Sequence, residues 1–316
     1  MATRARVVVL DPVSPEALAD LEHDHEVVVR LRPGHEELLA LAVEADALVV
    51  RSGVRITGDV IRSGRRLRVV ARAGSGTDNI DLPACRASGV QVFNLPGVSA
   101  PAVAELALGL VLAVTRNIAL ADRQVREGRW NKAQLAGPEL ENRALGVVGF
   151  GPVGSHIARV GRALGMRVLT AVDRPSPERD EELRGHGVER LPLGDLLRSA
   201  DVVCLAVPLT ERTRHLIGAA ELALMPTGSY LVNVSRGGVV DEEALLRALT
   251  DGRLAGAALD VHARESGVPA LADLDNVVLT PHIGASTTDA QRRLGRLLAA
   301  ELRTALAGGR ARNRVC

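Results

Sequence analysis

The sequence predicts an α/β protein with two doubly wound domains, each built on a parallel sheet. Three observations carry that expectation. Short valine-rich apolar runs alternate with helical segments over most of the 316 residues, the pattern of strands buried on both faces by helices. A glycine-rich turn, Gly149-Phe150-Gly151-Pro152-Val153-Gly154, joins one such run to a helix. The alternation is broken once, at Pro96-Gly97 and Pro101, which sets a small first unit apart from a larger second one.

Taken in order, residues 6–10 form the first strand, and Asp11-Pro12 ends it. Ser14 then caps a helix with Pro15 at its first position. Further strands are expected at 27–31, 47–50, 69–72 and 90–93, with helices at 36–43, 59–63 and 82–88. After the proline break, one long apolar helix is expected over 103–126, with Glu105 the only acid in its first half. Strands recur at 145–148, 166–172, 201–207, 230–234, 254–259 and 277–279. A helix capped by Asp241, with Glu242 and Glu243 in its first turn, fits between two of them. A last helix covers 287–306, and the GGRAR segment after it reads as a fraying tail.

Around the glycine-rich turn, each part has a physical task. Residues 145–148 are a buried strand, and Ile157, Val160 and Leu164 mark one face of the following helix, which Gly165 closes. Gly149 permits the tight turn, Gly151 lets a pyrophosphate approach the backbone, and Gly154 lets helix and strand pack closely. The helix N-terminus offers N–H groups and a positive dipole end to phosphate. Pro152 lacks a donor but suits a first helical turn, which leaves Val153 as the expected donor. Asp173 ends the next strand, about 20 residues past Gly154, where a ribose-binding carboxylate belongs. This is a Rossmann-type dinucleotide unit. Its acid would repel a 2′-phosphate, so NAD is the expected cofactor, although Arg174 beside it could offset the repulsion.

Composition excludes several classes. A 47% apolar and 24% charged chain with net charge +1 is an ordinary enzyme-sized globular protein, without the basic excess of a nucleic-acid binder. No apolar run reaches membrane-spanning length, and the N-terminus runs into a strand without a signal-peptide pattern. Cys85, Cys204 and Cys316 are few and scattered, which fits reduced thiols in a cytoplasmic protein. No Cys or His spacing suggests a metal site. His23 and His25, flanking Asp24, read as solvated. Only four aromatic residues are present, so Val, Leu, Ile and Ala must fill the cores.

In doubly wound sheets ligands bind beyond the C-terminal strand ends. Three polar residues stand at such ends in the second half: Arg236 in Ser-Arg-Gly-Gly, Glu265 after LDVHAR, and His282 after VVLTP.

With these motifs the chain resembles the D-isomer-specific 2-hydroxyacid dehydrogenases, and within them the D-3-phosphoglycerate dehydrogenases. The resemblance runs through ARAGSGTDNID, NLPGVSAPAVAELALGL, GRWNKAQLAGPEL, VGFGPVG, VPLTERTRHLIG, NVSRGGVVDEEAL, AALDVHARE and LTPHIGAST, in the family's order. It implies a flavodoxin-like substrate domain made of residues 1–98 and 284–316, with the NAD-binding domain, 99–283, inserted in it. It also implies that Arg236, Glu265 and His282 are catalytic. His282 would exchange the hydroxyl proton as hydride moves between C2 and nicotinamide. Glu265 would fix the imidazole tautomer and raise its pKa, and Arg236 would grip the substrate carboxylate. Asp260 resembles the family's acid near the nicotinamide amide, and Val207, Pro208, Val234, Ser235 and Gly284 fall in cofactor-binding motifs. The backbone of Ser75 and Gly76 would complete the carboxylate site.

Two departures concern the loop of Glu265: Ser266-Gly267 replace the family's usual proline, and His262 replaces an aromatic residue. The chain also stops where the family's catalytic core stops, so feedback through a C-terminal regulatory domain is not expected. Lys132, the only lysine, lies where the resembling phosphoglycerate dehydrogenases place a basic residue near the substrate phosphate. Arg51-Ser52 form the other half of that expected pocket. The substrate expected is therefore 3-phosphoglycerate or 3-phosphohydroxypyruvate, in serine biosynthesis. Alternatives are another 2-oxo acid such as glyoxylate, hydroxypyruvate or a secondary-metabolite acid, and a dinucleotide-sensing corepressor on the same fold. A homodimer built on the apolar helix and Trp130 is expected.

Overall fold

The computed structural model describes residues 4–173, 176–264, 267 and 269–316. The chain forms two compact units, Met1–Ser99 with Ser286–Cys316, and Ala100–Ala285.

In the first unit the order is β1 (Arg6–Val9), α1 (Pro15–Asp24), β2 (Glu26–Val29), α2 (His35–Glu44), β3 (Ala47–Val50), α3 (Gly58–Ser63), β4 (Val69–Arg72), α4 (Leu82–Ala87) and β5 (Gln91–Asn94). All five strands are parallel, in the order β2-β1-β3-β4-β5, the flavodoxin-like arrangement. Alternate strand residues feed two cores. Val7, Val9, Val49 and Ala71 face one, and Val8, Leu48, Val50 and Val70 face the other.

The second unit begins with α5 (Ala100–Thr115), α6 (Ile118–Arg126) and a 3₁₀ turn (Lys132–Leu135). It continues with β6 (Ala144–Val148), α7 (Pro152–Ala163), β7 (Arg167–Ala171), α8 (Pro177–Gly185), β8 (Glu189–Arg190), α9 (Leu193–Ser199) and β9 (Val202–Leu205). Then come α10 (Ala219–Leu224), β10 (Ser229–Asn233), α11 (Glu242–Thr250), β11 (Leu254–Leu259) and β12 (Val277–Leu279). The parallel sheet runs β12-β11-β10-β9-β6-β7-β8. Strand order reverses between β6 and β9, the crevice where dinucleotides bind in such sheets. The last helix, α12 (Thr288–Leu306), is capped by Thr287 and packs within the first unit, Gly295 lying against Ala17 and Ser14 of the α1 start.

Three expectations are corrected. The single helix over 103–126 is two helices bent by 64°, because Asn117 takes a left-handed conformation (φ 52°) that a helix cannot pass through. α5 is largely buried, whereas Ile118, Val125 and Trp130 remain exposed, Trp130 at 71%. The C-terminal tail does not fray. Val315 N–H donates to Val92 O (2.7 Å), Arg314 bridges Phe93, Ala311 N–H donates to Gln91 Oε1 (3.0 Å), and Ala311 is buried. His25 is not solvated but buried, and neither ring nitrogen has a hydrogen-bond partner. Burial lowers its pKa against the opposing pull of Asp24. Burial also raises the Cys85 and Cys204 thiols to about 12, so neither is a nucleophile at neutral pH.

Among the described residues no single helix is long and apolar enough to cross a membrane, and no group of His, Cys, Asp or Glu could hold a metal ion.

Candidate active site

At the C-terminal edge of the large sheet, Asn233, Leu259 and Leu279 stand in register on β10, β11 and β12. Adjacent strands are about 4.8 Å apart, so the loops leaving these three ends emerge side by side. The first carries Arg236, the second His262 and the Glu265 segment, and the third His282. Glu265 itself lies outside the described residues.

The Arg236 turn is held from within. Ser235 donates from both N–H (3.0 Å) and Oγ (2.6 Å) to Asn233 Oδ1, while Asn233 Nδ2 donates to Arg236 O (3.1 Å). At Gly237 any Cβ would sit 1.8 Å from His262 O, so only glycine lets this turn close on the neighbouring loop. Arg236 is half-buried, and its Nη1 donates to Ser235 O (2.7 Å). Val234 and Ser235 are buried at the base of the turn.

His282 is half-buried at φ 56°, a left-handed conformation that costs a non-glycine residue about 1–2 kcal/mol. Asp260 holds it there. The His282 N–H donates to Asp260 O (2.8 Å). The Asp260 carboxylate, on a residue only 1% exposed, accepts from Thr280 Oγ1 (2.7 Å), Ile283 N–H (2.8 Å) and Gly284 N–H (2.8 Å). Every one of these bonds points into the His282 turn, so the acid expected beside nicotinamide has a positioning duty that its place in a motif did not reveal. His262 Nε2 lies 3.0 Å from Thr280 O and so carries the ring proton, tying the second loop to the third.

The glycine-rich turn passes a direct fit test for a dinucleotide. Gly149 has φ 93°, and a Cβ there would meet Ala206 O and Val207 Cγ1 at 2.8 Å. At Gly154 a Cβ would meet Gly149 O at 2.0 Å. At Gly151, the N-cap of α7, it would meet nothing within 4 Å. Turn and helix are thus packed tight where glycine serves folding and open where it serves approach of a phosphate. Pro152 is the first residue of α7, so Val153 and Gly154 present first-turn N–H groups toward that opening. Val207 and the exposed Pro208 follow β9 on the near side.

Asp173 is exposed at the end of β7, and Arg174 lies outside the described residues. A partner that sequence reasoning missed is Arg212, whose guanidinium pairs with the Asp173 carboxylate. Arg179, also missed, stacks 5.6 Å from the Phe150 ring and donates to Phe150 O. Neither pairing has a local sequence signal, because 39 and 29 residues separate the partners.

In the small unit, Arg51 follows β3 and the Ser75-Gly76 loop follows its neighbour β4. Asp11 accepts from Arg51 N–H (2.6 Å), and Asn79 Nδ2 donates to Arg51 O (2.7 Å) and Val54 O (2.6 Å), joining the two loops. Asn94 Nδ2 donates to Ser75 O (2.5 Å). Burial lowers the pKa of Arg51, partly offset by Asp11. Ser52 is exposed beside it. Lys132 belongs to the large unit and is exposed in the 3₁₀ turn after α6.

A dinucleotide-shaped turn, a switch-point crevice, and an arginine and a histidine on strand ends separated by one strand define a nicotinamide-dependent oxidoreductase. Comparison with known proteins agrees. Residues 108–284 match the D-isomer specific 2-hydroxyacid dehydrogenase, NAD binding domain. The chain is 44% identical to the hydroxypyruvate reductase of Thermotoga maritima, over 92% of this chain and 95% of that one. It is 41% identical to the D-3-phosphoglycerate dehydrogenase of Methanocaldococcus jannaschii over 98% of this chain, which spans 59% of that relative's length. A solved structure from Thermus thermophilus superposes with a TM-score of 0.90 at 35% identity, covering 98% of this chain and all of the other. The chain belongs to the D-isomer specific 2-hydroxyacid dehydrogenase family. It is an NAD-dependent oxidoreductase acting on CH–OH groups.

Proposed function

We propose that the chain interconverts a short D-2-hydroxy acid and its 2-oxo acid with NADH, and that the substrate carries a phosphate on C3, as in 3-phosphoglycerate and 3-phosphohydroxypyruvate. The bound nicotinamide supplies or accepts the hydride. His282 gives the C2 oxygen its proton in reduction and takes it back in oxidation. Arg236, on the strand end two places away, grips the carboxylate as a planar fork and polarises the C2 oxygen. Glu265 sets the tautomer of His282, and the Ser75 and Gly76 backbone binds the carboxylate. Gly149, Gly151 and Gly154 make room for the pyrophosphate, and Asp173 takes the ribose hydroxyls.

The observation that carries the phosphate reading is Arg51. Its guanidinium is half-buried at the C-terminal end of β3, where burial works against its charge and a bound anion would offset that cost. By the resemblance, Lys132 is a second candidate phosphate-binding cation and Ser52 a hydroxyl donor. A specific finding also favours a second reading: a relative of matching length is a hydroxypyruvate reductase, which points to the same acid without phosphate. Initial rates of NADH oxidation with 3-phosphohydroxypyruvate, hydroxypyruvate and glyoxylate separate these. Phosphate recognition predicts the highest kcat/KM for the first. Arg51→Ala and Lys132→Ala should each lower it by roughly 10–150-fold, the worth of a charge-assisted hydrogen bond, with little effect on the other two. Hydroxypyruvate turned over at least as well as 3-phosphohydroxypyruvate, with both variants silent on the phosphorylated acid, selects the second reading.

The exposed Ile118, Val125 and Trp130 support a homodimer built on α6 and the segment after it. Light scattering at micromolar concentration should give twice the 33.3 kDa chain mass, and a monomer would contradict it.

A further inference from the structure

The turn after β9 brings a cation to the carboxylate at the end of β7. Within residues 208–215, Thr213 Oγ1 donates to Pro208 O (2.6 Å), and Thr210 N–H donates to Thr213 Oγ1 (2.7 Å). Arg214 N–H donates to Thr210 O (2.9 Å) and His215 N–H to Gly238 O (2.8 Å). These bonds fix the turn without using the Arg212 side chain. Its guanidinium then meets Asp173 fork to fork, Nη2 to Oδ1 at 2.5 Å and Nη1 to Oδ2 at 3.2 Å. A planar two-point match of this kind is available to arginine and not to lysine.

We propose that Arg212 is a specificity-determining residue of the adenosine ribose site: by pairing with Asp173 it sets how strongly a 2′-phosphate is rejected. The inference rests on the reading of Asp173 as the ribose carboxylate. A carboxylate offers about four acceptor positions. Arg212 occupies one on each oxygen, which leaves one on each for the 2′- and 3′-hydroxyls of NADH. The pair is therefore compatible with NADH. Toward NADPH it behaves differently from a bare acid. A lone carboxylate beside a dianionic 2′-phosphate is repulsive, whereas the Arg212–Asp173 pair carries no net charge and holds a guanidinium where the phosphate would arrive.

The side chains of Arg212 and Asp173 are 77% and 58% exposed, so solvent and salt weaken the effect. It moderates the preference for NADH and does not invert it.

Fluorescence titration of the apo protein with NADH and with NADPH tests this without any substrate. Arg212→Ala should raise the Kd for NADPH by about fivefold, the upper range for an exposed ion pair, and that for NADH by less than about twofold. The NADPH effect should shrink in 0.5 M salt. Arg212→Lys should recover only part of the NADPH affinity, since an ammonium supplies charge without the fork. Three results would overturn the proposal: equal changes for both cofactors, no change for either, or the NADPH loss appearing in Arg174→Ala instead. Asp173→Ala keeps the two readings apart. If it fails to relax the preference for NADH, the ribose reading of Asp173 falls. If it relaxes the preference while Arg212→Ala is silent, only the role of Arg212 falls.

Discussion

Replacing Asp260 by Asn changes one atom of a buried carboxylate and tests what holds His282 in place. The Asp260 carboxylate accepts from Thr280 Oγ1 and Ile283 N–H at Oδ1 and from Gly284 N–H at Oδ2. An amide can keep the first two through its oxygen, but its NH2 group then faces the Gly284 donor. One charge-assisted bond is lost and one buried donor is stranded, a combined cost of about 3–5 kcal/mol. The His282 turn is where that cost can be relieved, because its φ of 56° is maintained by these bonds. For a unit of this size, 1 kcal/mol corresponds to about 2–4 °C in Tm, so apo Asp260→Asn should melt some 6–20 °C lower. Since about 1.4 kcal/mol is a factor of ten, a third of the cost expressed in the position of His282 lowers kcat by about 5–17-fold. Differential scanning fluorimetry and steady-state NADH oxidation measure both. A variant with unchanged Tm and kcat but a raised KM for NADH would refute the positioning argument and give the carboxylate to the nicotinamide alone.

The two glycines of the phosphate turn should separate folding from binding. Gly154→Ala puts a Cβ 2.0 Å from Gly149 O and should destabilise the apo protein by about 1–3 kcal/mol through overpacking, read as a lower Tm. Gly151→Ala meets nothing within 4 Å at an ordinary negative φ, so Tm should hold while the Kd for NADH rises. A stable Gly154→Ala or a tight-binding Gly151→Ala contradicts the division of roles. His25 should make the small unit acid-sensitive. Its folded pKa is depressed by burial, with Arg303, Arg4 and Arg68 adding to the effect and Asp24 opposing it. The stability contributed by neutral His25 is thus present above the ordinary value of about 6.5 and is lost as pH falls through the lower folded value. His25→Leu should flatten the fall of Tm between pH 7 and pH 5, and an unchanged slope would show that other groups govern it.

Much of this was legible in the sequence because it is local. Valine-rich runs such as 47–50 and 69–72 are buried on both faces and form central strands. The glycine spacing at 149–154 and the acid at 173 encode their own geometry, and Ser14 and Asp241 cap the helices they precede. What was missed depends on distant partners. The tail at 309–316 reads as polar and glycine-rich, yet it pairs with β5 more than 200 residues earlier. The two-residue β8 lacks an apolar run and exists because β7 offers it an edge. Asn117 breaks a continuous apolar pattern by backbone conformation alone. At the site, Arg236 and His282 could be named from their strand ends. The inward bonding of Asp260 and the Arg212–Asp173 pair appear only once separate turns are brought together.

We propose that His282, held by Asp260 at the end of β12, is the proton-transferring residue of an NADH-dependent reduction at C2. His282→Ala, assayed for kcat with 3-phosphohydroxypyruvate and hydroxypyruvate and for NADH affinity by fluorescence, tests it most directly. The expected result is a loss of about 10²–10⁴-fold in kcat, the usual worth of positioned acid–base catalysis, with the Kd for NADH nearly unchanged. Turnover within a few-fold of wild type on either acid would contradict it.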